Sequence, residues 1–519
     1  MLIGCYASLN AFVVSEKQTK KEEVIEQKSW RNIQKKSEKA VVQVISHIAE
    51  FNPLQPYQKS SKEGRGSGFL ISNEENRGFI LTSYHVVENA LQVGVIMPLY
   101  FGKKVLPASV VGVCPDYDIA LLELDSAVMD SLLKNNGSIT FLRLSDSEKV
   151  DRSDQLLALG FPLGEESLKS VTGVVSGYTH VTIRNGLRYC GSHAIQVSTP
   201  LNRGNSGGPV INEQGLVVGI AMAVADAQGV GYICPINYFI LLASELKKGG
   251  LVRKPFLGAS LCPAKGDEIA LFLGNPLPAG CYISHVYPDG LAGQSGVKEG
   301  DMLYRINGLS IDPYGYVQKN FLKDRLSLFD YFASLPLNSP LEVELYRKGE
   351  RIVLKGALSS TSDSLIRWKH IPYDVIDYEI IGGLLIQELS LNILAFFEKQ
   401  ARSQGWNISP HLLIYKEANK SSDSVLVVTH IFPSSFAYSA RSYDVGTILI
   451  EVNDYPVTSL KELREVLGSV QKGEDFVLKG DQGEILVLSV ELLQEDEPRL
   501  SESFGYSSTP AMRKLMQLK

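Results

Sequence analysis

The chain has 519 residues, and at about 150 residues per domain this length favours three or four domains over a single core. Hydrophobic residues make up 44% and charged residues 21%, which excludes a chain that is disordered throughout. The formal net charge is −6, so the composition gives no electrostatic reason to bind nucleic acid.

The first residues leave the compartment open. Residues 2–14 (LIGCYASLNAFVV) are mildly apolar but lack the positive charge that opens a secretory signal. The longest apolar run, Leu216–Ala225, is shorter than the roughly 18 residues that a membrane span needs, so no transmembrane segment is predicted. The chain is periplasmic or exported if its start is a truncated signal, and otherwise cytoplasmic or organellar.

The cysteines do not indicate a metal centre. None lies in a C-x-x-C pair, and no histidine stands at zinc-ligand spacing from one. We therefore predict no metal site and interpret the cysteines as buried, inert thiols. Their even number also permits disulfides, whose pairing the sequence does not give. They are Cys5, Cys114, Cys190, Cys234, Cys262 and Cys281.

A charged helical segment, within residues 1–39, precedes a long run of short β-strands. Many short strands over some 200 residues favour an antiparallel barrel or sandwich. The helical pattern Tyr238–Lys248 stops at Gly249-Gly250 and closes a first domain at 40–250. The predicted strands are Val41–Ile45, Gly68–Ile71, Phe79–Thr82, Val93–Ile96, Ile119–Leu124, Leu156–Leu159, Ala194–Val197 and Leu216–Ala221.

Two related modules follow the first domain. The first covers 251–360 and carries a long insertion, Asp312–Asn338, and the second covers 361–495. Both show a strand, a Pro-containing turn, a short helix and a second strand that leads into an Asn-containing turn. The remaining residues, 496–519, are polar, and we predict a mobile tail beginning near Gln494.

Three segments of the first domain carry the chemistry. They are TSYHVV at 82–87, DYDIALL at 116–122 and NRGNSGGP at 202–209. Acyl transfer needs a Ser nucleophile, a neutral His to take its proton and a carboxylate to orient that His. We predict that Ser206 attacks, His85 is the general base and Asp118 orients it.

The glycines around Ser206 predict an oxyanion hole. A tight Gly-rich turn can aim successive backbone N–H groups at one point, where a developing negative charge is stabilised. We assign the hole to the backbone N–H groups of Gly204, Asn205 and Ser206.

These motifs, together with GFPLG at 160–164, SVTGVVS at 170–176 and ICPIN at 233–237, resemble the HtrA (Do/Deg-type) serine proteases of the chymotrypsin clan. The resemblance implies a mainly β fold: a trypsin-like double β-barrel followed by two PDZ-like α+β modules. It also implies no cofactor, no ATP and a homo-oligomer built from trimers. Phe256-Leu257-Gly258-Ala259 stands where the family has its carboxylate-binding PDZ loop.

The sequence also departs from the family pattern. Ser83 replaces an Asn, and Ser198-Thr199 replace an Asp-Ala pair. The second module has no recognisable carboxylate loop, an arrangement more like the plant Deg-type branch. Its nearest candidate, Ile380–Leu385, is too apolar for water, so we expect it to pack inside the chain or against another subunit.

The resulting hypothesis is an ATP-independent serine endopeptidase that cleaves unfolded or damaged proteins with help from the first PDZ module. Ile220–Gly231 would line the S1 pocket, and its small apolar residues favour an aliphatic P1 residue, since Asp226 lies in a polar turn. Two alternatives remain: a PDZ-based chaperone or scaffold with a latent protease, and a processing protease with one target.

Overall fold

The structure is a computed structural model. It describes residues 30–58, 60–72, 78–185, 188–202, 204–222, 229–288, 290–317, 326–358, 366–405, 408–417, 420, 423–471 and 473–517. The chain divides into two compact units. The first includes Lys62–Asn185 and Tyr189–Ser362, and the second includes Ala49–Ser61 and Asp363–Lys519.

The first barrel forms a closed ring in the order β5-β4-β1-β2-β3-β6, with β5 also pairing β6. Its strands carry buried Val, Ile and Leu side chains, and β6 (IALLEL) is almost wholly buried. The elements are α1 (Trp30–Ser37), β1 (Val41–Glu50), β2 (Ser60–Ser72), β3 (Gly78–Ser83), α2 (Tyr84–Val87), β4 (Ala90–Ile96), α3 (Pro98–Phe101), β5 (Val105–Cys114), β6 (Ile119–Leu124) and α4 (Ser126–Asn136).

The second barrel closes in the order β10-β11-β12-β9-β8-β7. The two barrels confirm the predicted double β-barrel, and each predicted strand of the first domain coincides with an observed one. The elements are β7 (Gln155–Gly160), β8 (Lys169–Asn185), β9 (Arg188–Val197), β10 (Pro209–Ile211), β11 (Val217–Met222), β12 (Gly231–Pro235), α5 (Ile236–Lys248) and β13 (Gly250–Leu251), which pairs with β5.

The first PDZ module has a sheet in the order β14-β15-β16-β20-β21, so β14 lies at the sheet edge. Of the long insertion, residues 318–325 lie outside the described residues. The elements are β14 (Ala259–Pro263), α6 (Glu268–Phe272), β15 (Cys281–Val286), α7 (Leu291–Gln294), β16 (Met302–Ile306), β17 (Leu309–Ser310), β18 (Tyr316–Val317), β19 (Leu326–Ser327), α8 (Leu328–Ala333), β20 (Pro340–Arg347) and β21 (Glu350–Ala357).

The second module has a sheet in the order β22-β23-β24-β25-β27-β28. Here β23, the strand that corresponds to β14, is paired on both sides, because β22 folds back on it through Gly382-Gly383. The elements are β22 (Glu379–Ile381), β23 (Leu384–Glu388), α9 (Leu391–Gln404), α10 (Pro410–Leu413), β24 (Leu426–Ile431), α11 (Phe436–Ala440), β25 (Ile448–Val452), β26 (Tyr455–Pro456), α12 (Leu460–Ser469), β27 (Asp475–Gly480), β28 (Ile485–Ser489), α13 (Val490–Phe504) and α14 (Pro510–Met516).

The apolar segment Ile380–Leu385 packs inside this module, as predicted, with its Ile and Leu side chains buried. The prediction of a mobile polar tail is wrong. Helices α13 and α14 occupy that region, and Leu493, Met512 and Leu515 join the same core cluster as α12. Arg464 of α12 pairs with Asp377 and Glu379, which ties the helix to the start of β22.

The remaining predictions concern the N-terminal segment, the cysteines and a membrane span. Most of the N-terminal segment, 1–29, lies outside them, as does Cys5. Among the described cysteines, Cys114, Cys234 and Cys281 are buried free thiols, but Cys262 is an exposed one, so the expectation of burial is wrong there. No helix of the described chain combines the length and apolar character needed to cross a lipid bilayer.

Candidate active site

His85 and Asp118 meet because β3 and β6 are neighbouring antiparallel strands, with Ser83 opposite Ile119. His85 follows β3 in the short helix α2, and Asp118 directly precedes β6. The backbone N–H of His85 donates to Asp118 Oδ1 at 2.8 Å, and His85 Nδ1 lies 2.7 Å from Asp118 Oδ2. Asp118 is only 3% exposed, so this carboxylate holds both the backbone and the imidazole of His85 from a shielded position, with one hydrogen bond to each.

The electrostatics of the His85–Asp118 pair suit a general base. Burial by itself lowers the pKa of His85, but the charge and hydrogen bond of Asp118 outweigh it, with Glu88 adding to them, so the pKa of the imidazole is raised above its ordinary value. A carboxylate on Nδ1 also places the exchangeable proton there in the neutral tautomer, which leaves Nε2 as the basic nitrogen.

Ser206 lies in the tight loop 204–208 that leads into β10. Gly207 has φ +86°, and a Cβ at this position would lie 2.2 Å from the carbonyl oxygen of Ser67 and 2.3 Å from Thr82 Oγ1. Only glycine fits so close an approach in this conformation. The N–H of Gly207 donates to the carbonyl of Ala221, which fixes the loop against β11.

Ser67, which the sequence analysis did not single out, supports the nucleophile loop from β2. Its side chain is completely buried, donates to the carbonyl of Gly204 at 2.7 Å and accepts from the N–H of Phe161 at 2.9 Å. Its own N–H donates to the carbonyl of Ser206 at 2.8 Å. The small residues Gly66 and Gly68 beside it were the available signal, since they mark a close backbone approach.

The predicted oxyanion hole needs one correction. The N–H of Asn205 donates to the carbonyl of Asn202 at 3.0 Å, as part of the turn itself, so it is not aimed at a bound oxyanion. The N–H groups of Gly204 and Ser206 remain the proposed donors. Asn205, whose N–H points away from the proposed oxyanion site, lies between them in the sequence.

The departures from the family pattern have structural roles. Ser83 is buried, and its hydroxyl donates to the carbonyl of Ala221. Ser198 accepts from the N–H of Val174 at 2.9 Å, which links β8 to the segment before the nucleophile loop. Of the predicted S1 wall, Ile220 to Met222 are buried, whereas residues 223–228, with Asp226, lie outside the described part of the chain.

The candidate PDZ loop immediately precedes the edge strand β14. Gly258 has φ +82°, and its carbonyl accepts from the N–H of Tyr287 while that of Leu257 accepts from Ala292. Leu257 and Ala259 are buried in the module core, and the ring of Phe256 meets Tyr287 edge-on at 5.5 Å. The loop is therefore anchored on one side, and among the described residues no strand pairs with the outer edge of β14.

Metal chemistry has no support in the described residues. No group of three or more His, Cys, Asp or Glu side chains among them is arranged to hold an ion.

Comparisons with known proteins agree with a trypsin-like protease domain and a PDZ domain in this chain. The sequence model of the trypsin-like peptidase domain matches residues 66–220, and that of the PDZ domain matches 370–508. The periplasmic serine endoprotease DegP of Salmonella typhimurium is 27% identical over 425 residues, covering 79% of this chain and 75% of its own length. The Do-like serine protease HtrA of Bacillus subtilis is 29% identical over 308 residues, covering 57% and 64%.

A solved structure of the HtrA-type protease AlgW with a decapeptide aligns with a TM-score of 0.50 at 23% identity, over 64% of this chain and 98% of that one. This likeness concerns the fold alone. Fold and candidate site define a trypsin-like serine protease with a PDZ domain. Together with the matched sequence relatives, they support an HtrA-type, PDZ-containing serine protease, and the chain is a serine endopeptidase.

Proposed function

We propose that His85, Asp118 and Ser206 form the catalytic triad of this endopeptidase. The hydrogen bond between His85 Nδ1 and Asp118 carries the proposal, because it fixes the imidazole in the tautomer that general-base catalysis needs. The bond from the backbone N–H of His85 holds the carboxylate in place. Ser206 loses its proton to His85 Nε2 as its oxygen attacks the scissile carbonyl. The N–H groups of Gly204 and Ser206 stabilise the resulting oxyanion.

His85 then returns the proton to the leaving amine, and water hydrolyses the acyl-enzyme by the same route. No step requires ATP or a cofactor. We expect Ser206→Ala to lower the hydrolysis of β-casein by roughly 10⁴–10⁶-fold while the circular dichroism spectrum stays that of the wild type. Casein cleavage by this variant at the wild-type rate would exclude Ser206 as the nucleophile.

We further propose that the substrates are unfolded or damaged polypeptides, captured as an added strand along the open edge of β14. Two features support this part: within the described part of the chain β14 is paired on one side, with β15, and Gly258 permits the tight loop before it. Efficient cutting of β-casein together with resistance of folded proteins is the expected pattern. Cleavage of one folded target, with casein left intact, would instead indicate a processing protease.

The second module has a different role in this proposal. Its equivalent strand is already covered by β22, so we assign it to assembly of a homo-oligomer, a trimer or a multiple of trimers. Native mass spectrometry of the full chain tests this assignment. A monomer at micromolar concentration would contradict it.

A further inference from the structure

The turn between β1 and β2 is anchored in the second module. Residues 51–58 (FNPLQPYQ), which we call the hairpin tip, connect two strands of the first barrel, but the segment belongs to the second compact unit. Leu54 of the tip is buried in a core cluster that includes apolar side chains of α9. The ring of Tyr57 packs against Phe432 and Tyr506, with centroid distances of 5.6 Å and 5.9 Å. A leucine and a tyrosine three residues apart therefore occupy two separate apolar sites.

Two buried polar side chains recognise the main chain of the tip. Gln387 of β23 is 3% exposed, and its amide donates to the carbonyl of Pro53 at 2.8 Å and to Thr429 Oγ1 at 2.7 Å. Thr429 of β24 is 1% exposed and donates in turn to the carbonyl of Leu54 at 3.0 Å. Burying an amide or a hydroxyl costs free energy unless the group is hydrogen-bonded. The carbonyls of the tip therefore account for two polar residues in an otherwise apolar part of the sheet.

The tip lies over a face of the sheet and not along its edge. Side chains of β23 alternate between the two faces: Leu384 and Ile386 join the core cluster that contains α12, whereas Leu385 and Gln387 point to the other side. The edge of β23 is already paired with β22. The contact with the tip is thus a different kind of binding from the strand addition proposed for β14.

The conformation of the tip is set by its own sequence. The side chain of Asn52 accepts from the N–H of Leu54 at 3.0 Å, and its carbonyl accepts from the N–H of Gln55 at 3.1 Å. The carbonyl of Gln55 accepts from the N–H of Gln58 at 3.1 Å, which makes a second turn. A proline occupies the second position of each turn, where its fixed φ is favourable. Local turns of this kind lower the entropy that binding must remove, so the tip has the properties of a preorganised ligand.

We propose that this face of the second module is a peptide-recognition site and that the hairpin tip is its resident ligand. The site, which we call the tip site, consists of Gln387, Thr429, Phe432 and Tyr506 together with the apolar face of α9. It selects a turned segment that presents a leucine, a tyrosine three residues later, and the carbonyls of the leucine and of the residue before it. The proposal holds whether or not β14 accepts a peptide.

The test uses the full chain and a fluorescent peptide with the sequence of residues 51–58. The peptide is acetylated and amidated, so it lacks the terminal carboxylate proposed for a ligand of β14. A covalent serine-directed inhibitor blocks proteolysis in every sample, and fluorescence anisotropy measures binding. The control peptide has serine in place of the leucine and the tyrosine.

Three proteins are compared with this probe. The first is the wild type, and the second is the tip variant, Leu54→Ser with Tyr57→Ser, which empties the tip site. The third adds the site substitutions Gln387→Leu and Thr429→Val to the tip variant. These two changes remove the donors and keep an apolar side chain of similar size at each position.

We expect the probe to bind the tip variant at least about tenfold more tightly than the wild type. The attached tip of the wild type competes at an effective concentration on the order of millimolar or more. Adding the site substitutions should weaken binding by about tenfold or more, because two carbonyls of the probe lose their donors. The control peptide should not bind any of the three proteins.

Hydrogen exchange of the chain with its native tip provides a second measurement. The N–H groups of Gln55 and Gln58 are bonded within the tip and should exchange slowly while it is docked. The site substitutions alone should accelerate exchange in the tip by about tenfold or more. Gln494→Ala is the matched control, since the amide of Gln494 also donates to a carbonyl of this unit, that of Leu515 at 3.2 Å. We expect it to leave exchange in the tip unchanged.

The opposite results would overturn the proposal. Equal affinity of the wild type and the tip variant for the probe would show that the tip does not occupy a binding site. Tight binding that survives the site substitutions would place recognition elsewhere. If the tip variant fails to fold, exchange decides: an unchanged rate in the tip after the site substitutions would show that the two side chains do not hold it.

Discussion

Asp118 is constrained through both its side chain and its backbone. It accepts two hydrogen bonds from His85, its carbonyl accepts from the N–H of Tyr84, and its backbone is left-handed. A neighbouring carboxylate, Asp116, has a structural task instead, because it accepts from the N–H of Lys254. The two acids of the DYD motif are thus distinguishable by their partners.

We expect Asp118→Asn to lower kcat by about 10⁴-fold without unfolding the protein. The amide can still accept from the backbone N–H of His85, but its NH₂ group facing Nδ1 favours the wrong tautomer. Because an anionic partner is lost, the pKa of His85 falls, and the acidic limb of the residual activity moves to lower pH. Steady-state kinetics as a function of pH measure both effects, and Asp116→Asn is the control, expected to stay near wild type. The reverse ranking would place the triad carboxylate at Asp116.

Short motifs pointed to the proposed triad, since each of its members lies in a recognisable local sequence. Ser67 was not predictable in this way. Its partner, Gly204, lies 137 residues away, and a hydrogen bond to a backbone carbonyl leaves no trace in the partner's residue type. The N–H of Asn205 was misassigned for a related reason: the direction of an N–H depends on the turn, which composition alone does not determine.

At the scale of single elements, apolar alternation located the strands of both barrels but missed helix α13. Its buried face is Val490, Leu493, Glu497 and Leu500, so a carboxylate occupies a position of the stripe that would otherwise be apolar. Pro498 follows Glu497 directly, and the two give this segment the polar, helix-breaking composition of a mobile tail. The hydroxyls of Tyr506 and Ser508 donate to Glu497 and compensate for its burial, and both lie beyond the end of the helix.

Glu497 makes the stability of the second unit depend on pH. Burial raises its pKa to about 7 from an ordinary value of 4.5, despite the hydrogen bonds from Ser508 and Tyr506. The folded state therefore holds its proton where the unfolded chain has released it, so stability is full below about pH 4.5 and is lost as the pH rises to about 7. The loss is at most about 3 kcal/mol.

Thermal unfolding of Glu497→Gln should therefore change less than that of the wild type between about pH 5 and about pH 8, because the neutral amide does not titrate. Glu495→Gln is the control, since Glu495 is exposed on the same helix. The same fall in melting temperature in all three proteins would show that Glu497 is ionised in the folded state across this range.

For the whole molecule, the two PDZ modules share a sheet pattern and differ at one edge. In the first, β14 has a free edge beside Gly258, and in the second, β22 covers the equivalent edge of β23 beside Gly383. The repeat of the two modules could be recognised from sequence because both keep the same strand and turn pattern. The strand β22, which covers that edge, could not be recognised from sequence. Its pairing with β23 depends on a two-residue turn, and the apolar run around this turn suits either a strand or a core helix.

The two glycines offer a matched pair of substitutions that tests which module binds peptide. Gly258 and Gly383 have φ values of +82° and +90°, and an added Cβ would lie 2.6 Å from Gly290 Cα and 2.1 Å from Ser435 Cβ respectively. Each alanine therefore disturbs the loop before the strand in its own module by a similar mechanism. We expect Gly258→Ala to weaken binding of a peptide with a free C-terminal carboxylate by about tenfold or more, since the loop and the open edge of β14 form the site. Gly383→Ala should leave the affinity unchanged, because β22 already occupies the corresponding position.

Calorimetric titration of the full chain supplies both the affinity and the stoichiometry, which we expect to be one peptide per chain. Two peptides per chain, or a loss of affinity in Gly383→Ala alone, would show that β22 yields its place to a ligand.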